Sequence, residues 1–217
     1  MRISSTGHQA VLAGGSVRDA LLGLNPKDLD VATSAPPELV EGTFASTLAV
    51  GKAFGTIVVI ENGHNFEVTT FRTEGPYLDG RHPSMVKFSG IEEDAKRRDF
   101  TVNALFYDPL KLELYDFARG LQDLEDKCLR TVGQPAERFN EDHLRMLRAV
   151  RFVSQLGFTI EPETLAAMET LHERMRNVSS ERVLNEMQKL LGGPYLRSSL
   201  QAMMQAKLHV VCWPELA

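Results

Sequence analysis

The chain changes texture near residue 135, and that change limits what it can fold into. Before this point, short β-rich runs alternate with Gly, Pro and Asp turns. The runs from Phe54 to Glu61 and from Asn65 to Arg72 flank Asn62-Gly63, a pair that tolerates positive φ and so signals a tight hairpin. Beyond it the apolar spacing is helical, with helices predicted at roughly 141–156, 161–175, 180–191 and 194–206. Pro162 suits the first turn of the second, Ser179 or Ser180 the cap of the third, and Gly192-Gly193-Pro194 stops that helix and starts the fourth. The expected organisation is an α/β head over residues 1–134 joined to an all-helical region over residues 135–217. No internal repeat or low-complexity tract interrupts it.

Composition narrows the function classes. With 217 residues, 43% of them hydrophobic, the chain can bury the cores of one or two domains. Cys128 and Cys212 lie far apart without metal-ligand spacing and read as reduced or buried thiols. No apolar run approaches the roughly 18 residues of a membrane span, so no membrane association is expected. The opening Met-Arg-Ile-Ser-Ser has no apolar core of a signal peptide, and the expected address is the cytoplasm. A net charge of −5 argues against a surface that simply coats nucleic acid. Local basic clusters remain, at Lys96-Arg97-Arg98 and in the series Arg145, Arg148, Arg151.

Two motifs carry chemistry in the head. Gly14-Gly15 allows close backbone approach to a ligand, and Ser16 to Gly23 reads as a short helix in whose first turn Arg18 can fork onto a phosphate. The same residues also suit a plain glycine turn with a surface arginine. The spacing is neither a P-loop nor a dinucleotide-binding fingerprint. Asp28 and Asp30 follow at short range. On a strand, residues two apart share a face, separated by roughly 6.5 Å, so both carboxylates can converge on Mg²⁺. Such a site orients an attacking hydroxyl and neutralises phosphoryl charge. Glu67, in Phe66-Glu67-Val68, can join them if its strand neighbours theirs; otherwise it is a solvated strand glutamate.

Two further segments concentrate polar groups. In Arg98-Asp99-Phe100-Thr101-Val102-Asn103, Asp99 and Asn103 stand one helical turn apart, suited to ribose hydroxyls and a phosphate, or to a locally capped helix. From Glu141 to Phe152 the pattern predicts one amphipathic helix with Glu141, Asp142, Arg145 and Arg148 on its polar side. A stabilised surface helix accounts for that order. So does base recognition, in which Asp142 accepts from an exocyclic amine and Arg145 donates to a ring nitrogen or carbonyl.

Assembled, these motifs resemble the class II tRNA nucleotidyltransferase and bacterial poly(A) polymerase family, within the polymerase-beta-like nucleotidyltransferases. The first family motif is matched by Gly14 to Gly23 and Lys27 to Thr33, the second by Arg97 to Ala104, and the third by Glu141 to Arg148. The resemblance implies a head with a mixed or antiparallel sheet followed by a helical neck. It implies that Asp28 and Asp30 bind catalytic Mg²⁺, that Gly15 and Arg18 help hold triphosphate, and that Arg98, Asp99 and Asn103 contact ribose and phosphate. Asp142 and Arg145 then form an amino-acid template for CTP or ATP, with Glu141 orienting it and Arg148 and Arg151 contributing positive charge. His64, His82 and His143 form no ligand cluster and are read as loop or helix-surface residues.

The implied activity is transfer of CMP and AMP from CTP and ATP to the tRNA 3′ end, with release of pyrophosphate. The stretch Thr73 to Pro83 resembles the family's flexible loop, which assists the final A addition, and Val50 to Thr56 looks more like CCA-adding relatives than poly(A) polymerases. A-only addition and poly(A) synthesis remain rival products, and a noncatalytic nucleotide- or RNA-binding fragment is a different class. Asp116 to Leu124 resembles a linking motif in which Arg119 replaces a usual glycine, a strain if the position needs positive φ. Relatives continue through body and tail domains, whereas this chain stops at Trp213 to Ala217, so a weaker grip on tRNA is expected.

Overall fold

The computed structural model describes residues 2–26, 28–77 and 83–213. Parts of three sequence readings lie outside them: Lys27 of the first motif, residues 78–82 of the flexible loop with His82, and the last four residues. Two compact units are present. One comprises Met1–Gly75 and Met85–Leu121, the other Pro76–Ser84 and Gln122–Ala217.

The first unit contains β1 (Ala10–Ala13), α1 (Gly15–Leu21), β2 (Asp30–Thr33), α2 (Pro37–Thr43), β3 (Thr47–Leu48), β4 (Thr56–Glu61), β5 (His64–Thr70), β6 (Arg72–Glu74), β7 (Val86–Phe88), α3 (Ile91–Lys96), β8 (Leu105–Asp108) and β9 (Glu113–Asp116). Seven strands form one sheet in the order β3-β4-β5-β2-β1-β8-β9, antiparallel except for the parallel pair β2 and β5. The mixed sheet expected for the head is therefore present. The predicted hairpin is too: Glu61 pairs with His64, and Asn62 and Gly63 both take positive φ, +51° and +79°, as a two-residue turn matching strand twist requires. One sheet face buries Ile57, Val59 and Val68 against Ala35 and Val40. Strand alternation then turns Glu67 away from that core.

After β9 come α4 (Gly120–Glu125) and, in the second unit, β10 (Cys128–Leu129), α5 (Pro135–Glu141), α6 (Leu144–Leu156), β11 (Thr159–Ile160), α7 (Pro162–Leu171), α8 (Ser180–Leu191), α9 (Leu196–Gln205) and α10 (His209–Cys212). Helix α8 matches its predicted span. Pro162 opens α7, where the Glu161 carboxylate caps Thr164 N–H at 2.7 Å. Helix α7 ends earlier than predicted, passing into a 3-10 turn at His172–Asn177. The larger correction concerns 141–156. This is not one helix: α5 ends at Glu141, and Asp142 is extended, with φ −142° and ψ 106°, before α6 begins. Its carboxylate accepts from Leu144 N–H at 3.1 Å, a local bond that competes with helix continuation. Buried Met146, Leu147, Ala149 and Val150 then seat α6 against α8 and α9. Both cysteines are free, and among the described residues no helix is long and apolar enough to cross a membrane.

Ahead of α4, Arg119 takes φ +66° on the surface, a left-handed conformation that disfavours any side chain. The Asp116 carboxylate holds this turn by accepting from the backbone N–H groups of Ala118, Gly120 and Leu121 at 3.1, 2.9 and 2.9 Å. Arg119→Gly should therefore stabilise the protein by about 0.5–1 kcal/mol, the relief of strain exceeding glycine's entropic cost. Thermal melting checks this; a lower midpoint would mean that the arginine side chain makes a compensating contact.

Candidate active site

The glycine turn and the Arg98–Asn103 segment meet in the first unit. Gly14 N–H donates to Leu105 O at 3.0 Å, and its φ of +68° with ψ −129° lies where only glycine is comfortable. A Cβ there would also stand 2.9 Å from an Arg98 guanidinium nitrogen. Helix α1 spans Gly15–Leu21, starting one residue before and ending two before the predicted Ser16 to Gly23, and its arginine is not a surface group. Arg18 is buried, donating to Asn103 Oδ1 at 2.5 Å and to Asp19 Oδ1 at 2.6 and 2.8 Å. Asn103 in turn donates to Asp99 Oδ1 at 3.0 Å, and that oxygen also accepts from Phe100 N–H. The turn linking them is a 3-10 turn, Thr101–Asn103.

Arg98 is fixed from three sides. It donates to Asn103 O at 3.1 Å and to Asp94 Oδ2 at 3.0 Å, and stacks 4.6 Å from the Phe106 ring centre. Asp94 is 1% exposed and also pairs with Arg97 at 2.7 Å. Burial pushes the Asp94 carboxyl up, but the two guanidiniums overcome it and hold it below the usual carboxylate range. Asp94 was not singled out from the sequence, although its position three and four residues before Arg97 and Arg98 on a helix was a usable signal.

The carboxylates are arranged differently from the expected shared strand face. Strand β2 begins at Asp30, and Asp28 lies exposed in the bend before it. The parallel pairing of β2 with β5 makes Glu67 the register partner of Asp30. Burial, then the neighbouring Glu67 carboxylate and finally Asp28, raise the Asp30 pKa above its ordinary value, with Arg98 acting against them. Carboxylates gathered around Asp30 suit a cation, and Mg²⁺ commonly takes one or two carboxylates, leaving its other positions to water and substrate phosphate. The donor set fits that use. Among the described residues there is no group of three or more His, Cys, Asp or Glu that forms a ready metal cage.

The second unit holds the other polar group. Arg145 donates to Glu141 at 2.5 Å and to Arg138 O at 3.2 Å, and Asp142 accepts from Arg182 of α8 at 2.7 Å. Glu141 and Asp142 thus precede α6 rather than sharing its face with Arg145. Arg148 sits 5.8 Å from the Phe152 ring centre, whereas Arg151 is buried against Glu186 at 2.5 Å and Gln155 at 2.8 Å and belongs to the packing of α6 on α8. His143 is likewise buried, its Nδ1 2.8 Å from Phe139 O, and is not the surface residue expected. His64 is exposed on β5.

Known proteins share this arrangement of elements. Residues 10–130 match the family described as "Poly A polymerase head domain", and residues 157–217 match "Probable RNA and SrmB- binding site of polymerase A". The CCA-adding enzyme of Bacillus pumilus (strain SAFR-032) is 48% identical over 204 residues, covering 94% of this chain and 51% of that enzyme. The Bacillus subtilis (strain 168) CCA-adding enzyme gives the same identity and coverage. The crystal structure of the Bacillus stearothermophilus CCA-adding enzyme in complex with CTP superimposes with a TM-score of 0.91 at 42% identity, covering 100% of this chain and 52% of that one. The chain spans about half the length of these relatives. A head fold, a helical neck and this degree of identity across nearly the whole chain place the protein in the class II CCA-adding tRNA nucleotidyltransferase and poly(A) polymerase family.

Proposed function

We propose that this chain carries the nucleotidyl-transfer and nucleotide-selection chemistry of a CCA-adding enzyme: template-independent transfer of CMP and AMP from CTP and ATP to a tRNA 3′ end, releasing pyrophosphate. The observation that carries it is the register pairing of Asp30 with Glu67 near Asp28, with Arg98 acting on the same carboxylate. Asp28 and Asp30, with Glu67 beside them, would hold Mg²⁺, which when bound offsets phosphoryl charge and orients the attacking 3′-hydroxyl. Residues 1–134 supply this part and residues 135–217 the choice of base. The cytoplasm, where thiols such as Cys128 and Cys212 stay reduced, is the proposed setting.

The protein's own groups divide the remaining work. Gly14 and Gly15 leave room for triphosphate beside the Arg18 guanidinium, which Asp19 and Asn103 hold in one orientation. A charge fixed in advance loses little entropy on meeting phosphate. Asp99 and Asn103 offer a hydrogen-bonded pair to the ribose hydroxyls. Asp142 accepts from N4 of cytosine or N6 of adenine and repels the carbonyl that uracil or guanine presents instead, while Arg145 donates to the ring edge. The CTP in the Bacillus stearothermophilus complex supports the nucleotide choice.

Extension of labelled tRNAs ending before CCA, after C and after CC, supplied with Mg²⁺ and with CTP, ATP or both, tests this reading. Stepwise completion of CCA is expected. Addition of A alone to the CC end, long A tails, or no incorporation would each overturn it.

A further inference from the structure

Attacking and leaving oxygens stand roughly in line through a transferred phosphoryl group. Across the carboxylates the large sheet runs β4-β5-β2-β1, with Glu67 on β5, Asp30 on β2 and the glycine turn directly after β1. With the triphosphate at that turn, pyrophosphate leaves on the β1 side. The RNA end therefore has to arrive from the opposite side, over β5 and β4.

Two hydroxyls stand on that side. Thr69 follows Glu67 by two residues on β5, so both side chains leave one sheet face, roughly 6.5 Å apart along the strand. It is the face opposite Ile57, Val59 and Val68, which are buried in the core. Thr56 of β4 is the register partner of Thr69, and their half-buried Oγ1 atoms lie 3.0 Å apart. Among the described residues these hydroxyls bond only each other. Neighbouring threonines differ: Thr33 Oγ1 donates to Gln9 O at 2.6 Å, and Thr70 Oγ1 to Ala35 O at 2.7 Å. Each hydroxyl carries one donor proton, so a pair joined by a single bond keeps one proton for a partner from outside.

We propose that this pair is a binding subsite for the acceptor RNA: Thr56 donates to Thr69 Oγ1, and Thr69 donates its own proton to an oxygen of the last internucleotide phosphate. The proposal rests on the metal site placed at Asp28, Asp30 and Glu67. A terminal 2′-hydroxyl is vicinal to the attacking 3′-hydroxyl and so belongs at the carboxylates. The phosphate linking the last two nucleotides stands farther back, on the scale of the two-residue strand step from Glu67 to Thr69. A charged acceptor also makes the stronger bond, and donation from Thr56 makes the Thr69 proton a better donor. Thr69 thus touches the RNA, and Thr56 is a positioning residue that acts through it.

The test is steady-state extension, with ATP and Mg²⁺, of a tRNA ending in CC by the 217-residue chain and its Thr69→Val, Thr69→Ser and Thr56→Val variants. The last internucleotide linkage is either the natural phosphate or one stereoisomer of an uncharged methylphosphonate. Thr69→Val is expected to raise the KM for tRNA about tenfold and leave the KM for ATP unchanged. Thr69→Ser should restore most of the loss, and Thr56→Val should cost less than Thr69→Val. At least one methylphosphonate stereoisomer should cost the unaltered chain about tenfold and the Thr69→Val variant nothing further, because both changes break the same bond. A raised KM for ATP, additive losses, or full activity of Thr69→Val would overturn the proposal. So would coupling to a terminal 2′-deoxy substitution instead, which would assign the pair to ribose. If Thr69→Val does not fold, Thr69→Ala is read by the same criteria, and equal extension of both linkages by the unaltered chain refutes the subsite without any variant. No extension by the unaltered chain refutes the metal-site reading itself, and the proposal with it.

Discussion

Replacing Asp30 with alanine is expected to lower nucleotidyl transfer at least about a thousandfold while leaving the fold intact, since in its proposed role the carboxylate holds a metal whose loss removes several kcal/mol of charge stabilisation in the transition state. The stability effect has the opposite sign. Asp30 is charged against burial and against Glu67 and Asp28, so its folded-state pKa lies above the ordinary 3.8. The folded protein holds that proton more tightly than the unfolded chain, and stability falls as pH rises through the folded value. At neutral pH the penalty is fully present, and Asp30→Asn should remove it. The metal-free Asn variant is therefore expected to melt above the unaltered protein. In the proposed metal-holding role, Mg²⁺ should narrow or reverse that gap, because a ligand that binds only the folded protein stabilises it by mass action. Single-turnover extension and melting curves with and without Mg²⁺ measure both effects. Transfer within tenfold of the unaltered rate would remove Asp30 from the chemistry.

The second large effect is expected at Gly120, where the turn held by Asp116 enters α4. A Cβ at this position would lie 2.4 Å from Thr101 O and 3.0 Å from two Leu105 side-chain carbons. Neither can retreat: Thr101 O already accepts from Ala104 N–H at 2.9 Å, and Leu105 is fully buried. Gly120→Ala should cost about 3 kcal/mol, lowering the melting temperature by roughly 6–12 °C. Because Thr101 opens the turn that carries Asn103, the same change should loosen the support of Arg18. Gly42 is the control. It lies inside α2 with nothing near a Cβ, so Gly42→Ala should stabilise by about 1 kcal/mol. A Gly120→Ala protein melting within about 2 °C of the original would mean that the turn relaxes.

How legible the molecule was in its residues follows the distance over which each interaction acts. Asn62-Gly63 announces its hairpin because two adjacent positive φ values leave few residue types to choose from. Gly14-Gly15 announces a turn into α1, and the apolar spacing after residue 135 announces helices, one of them at its observed bounds. Chain direction and residue type are enough there. The break at Asp142 was missed because the amphipathic pattern runs through it unbroken; the contrary sign was a single side chain able to bond Leu144 N–H.

The sequence by itself determined the hairpin, the glycine turn, the helical second half and the residue types available for phosphate, metal and base. Tertiary structure alone decided which of them meet. Parallel pairing of β2 with β5 sets Glu67 beside Asp30, the Arg18 to Asn103 bond joins groups 85 residues apart, and α8 brings Arg182 to Asp142 and Glu186 to Arg151. Such pairings have no local signature, because charge and hydrogen bonding act through space while periodicity and turn chemistry act along the chain. Burial of the core fixes the distances on which those charges then depend.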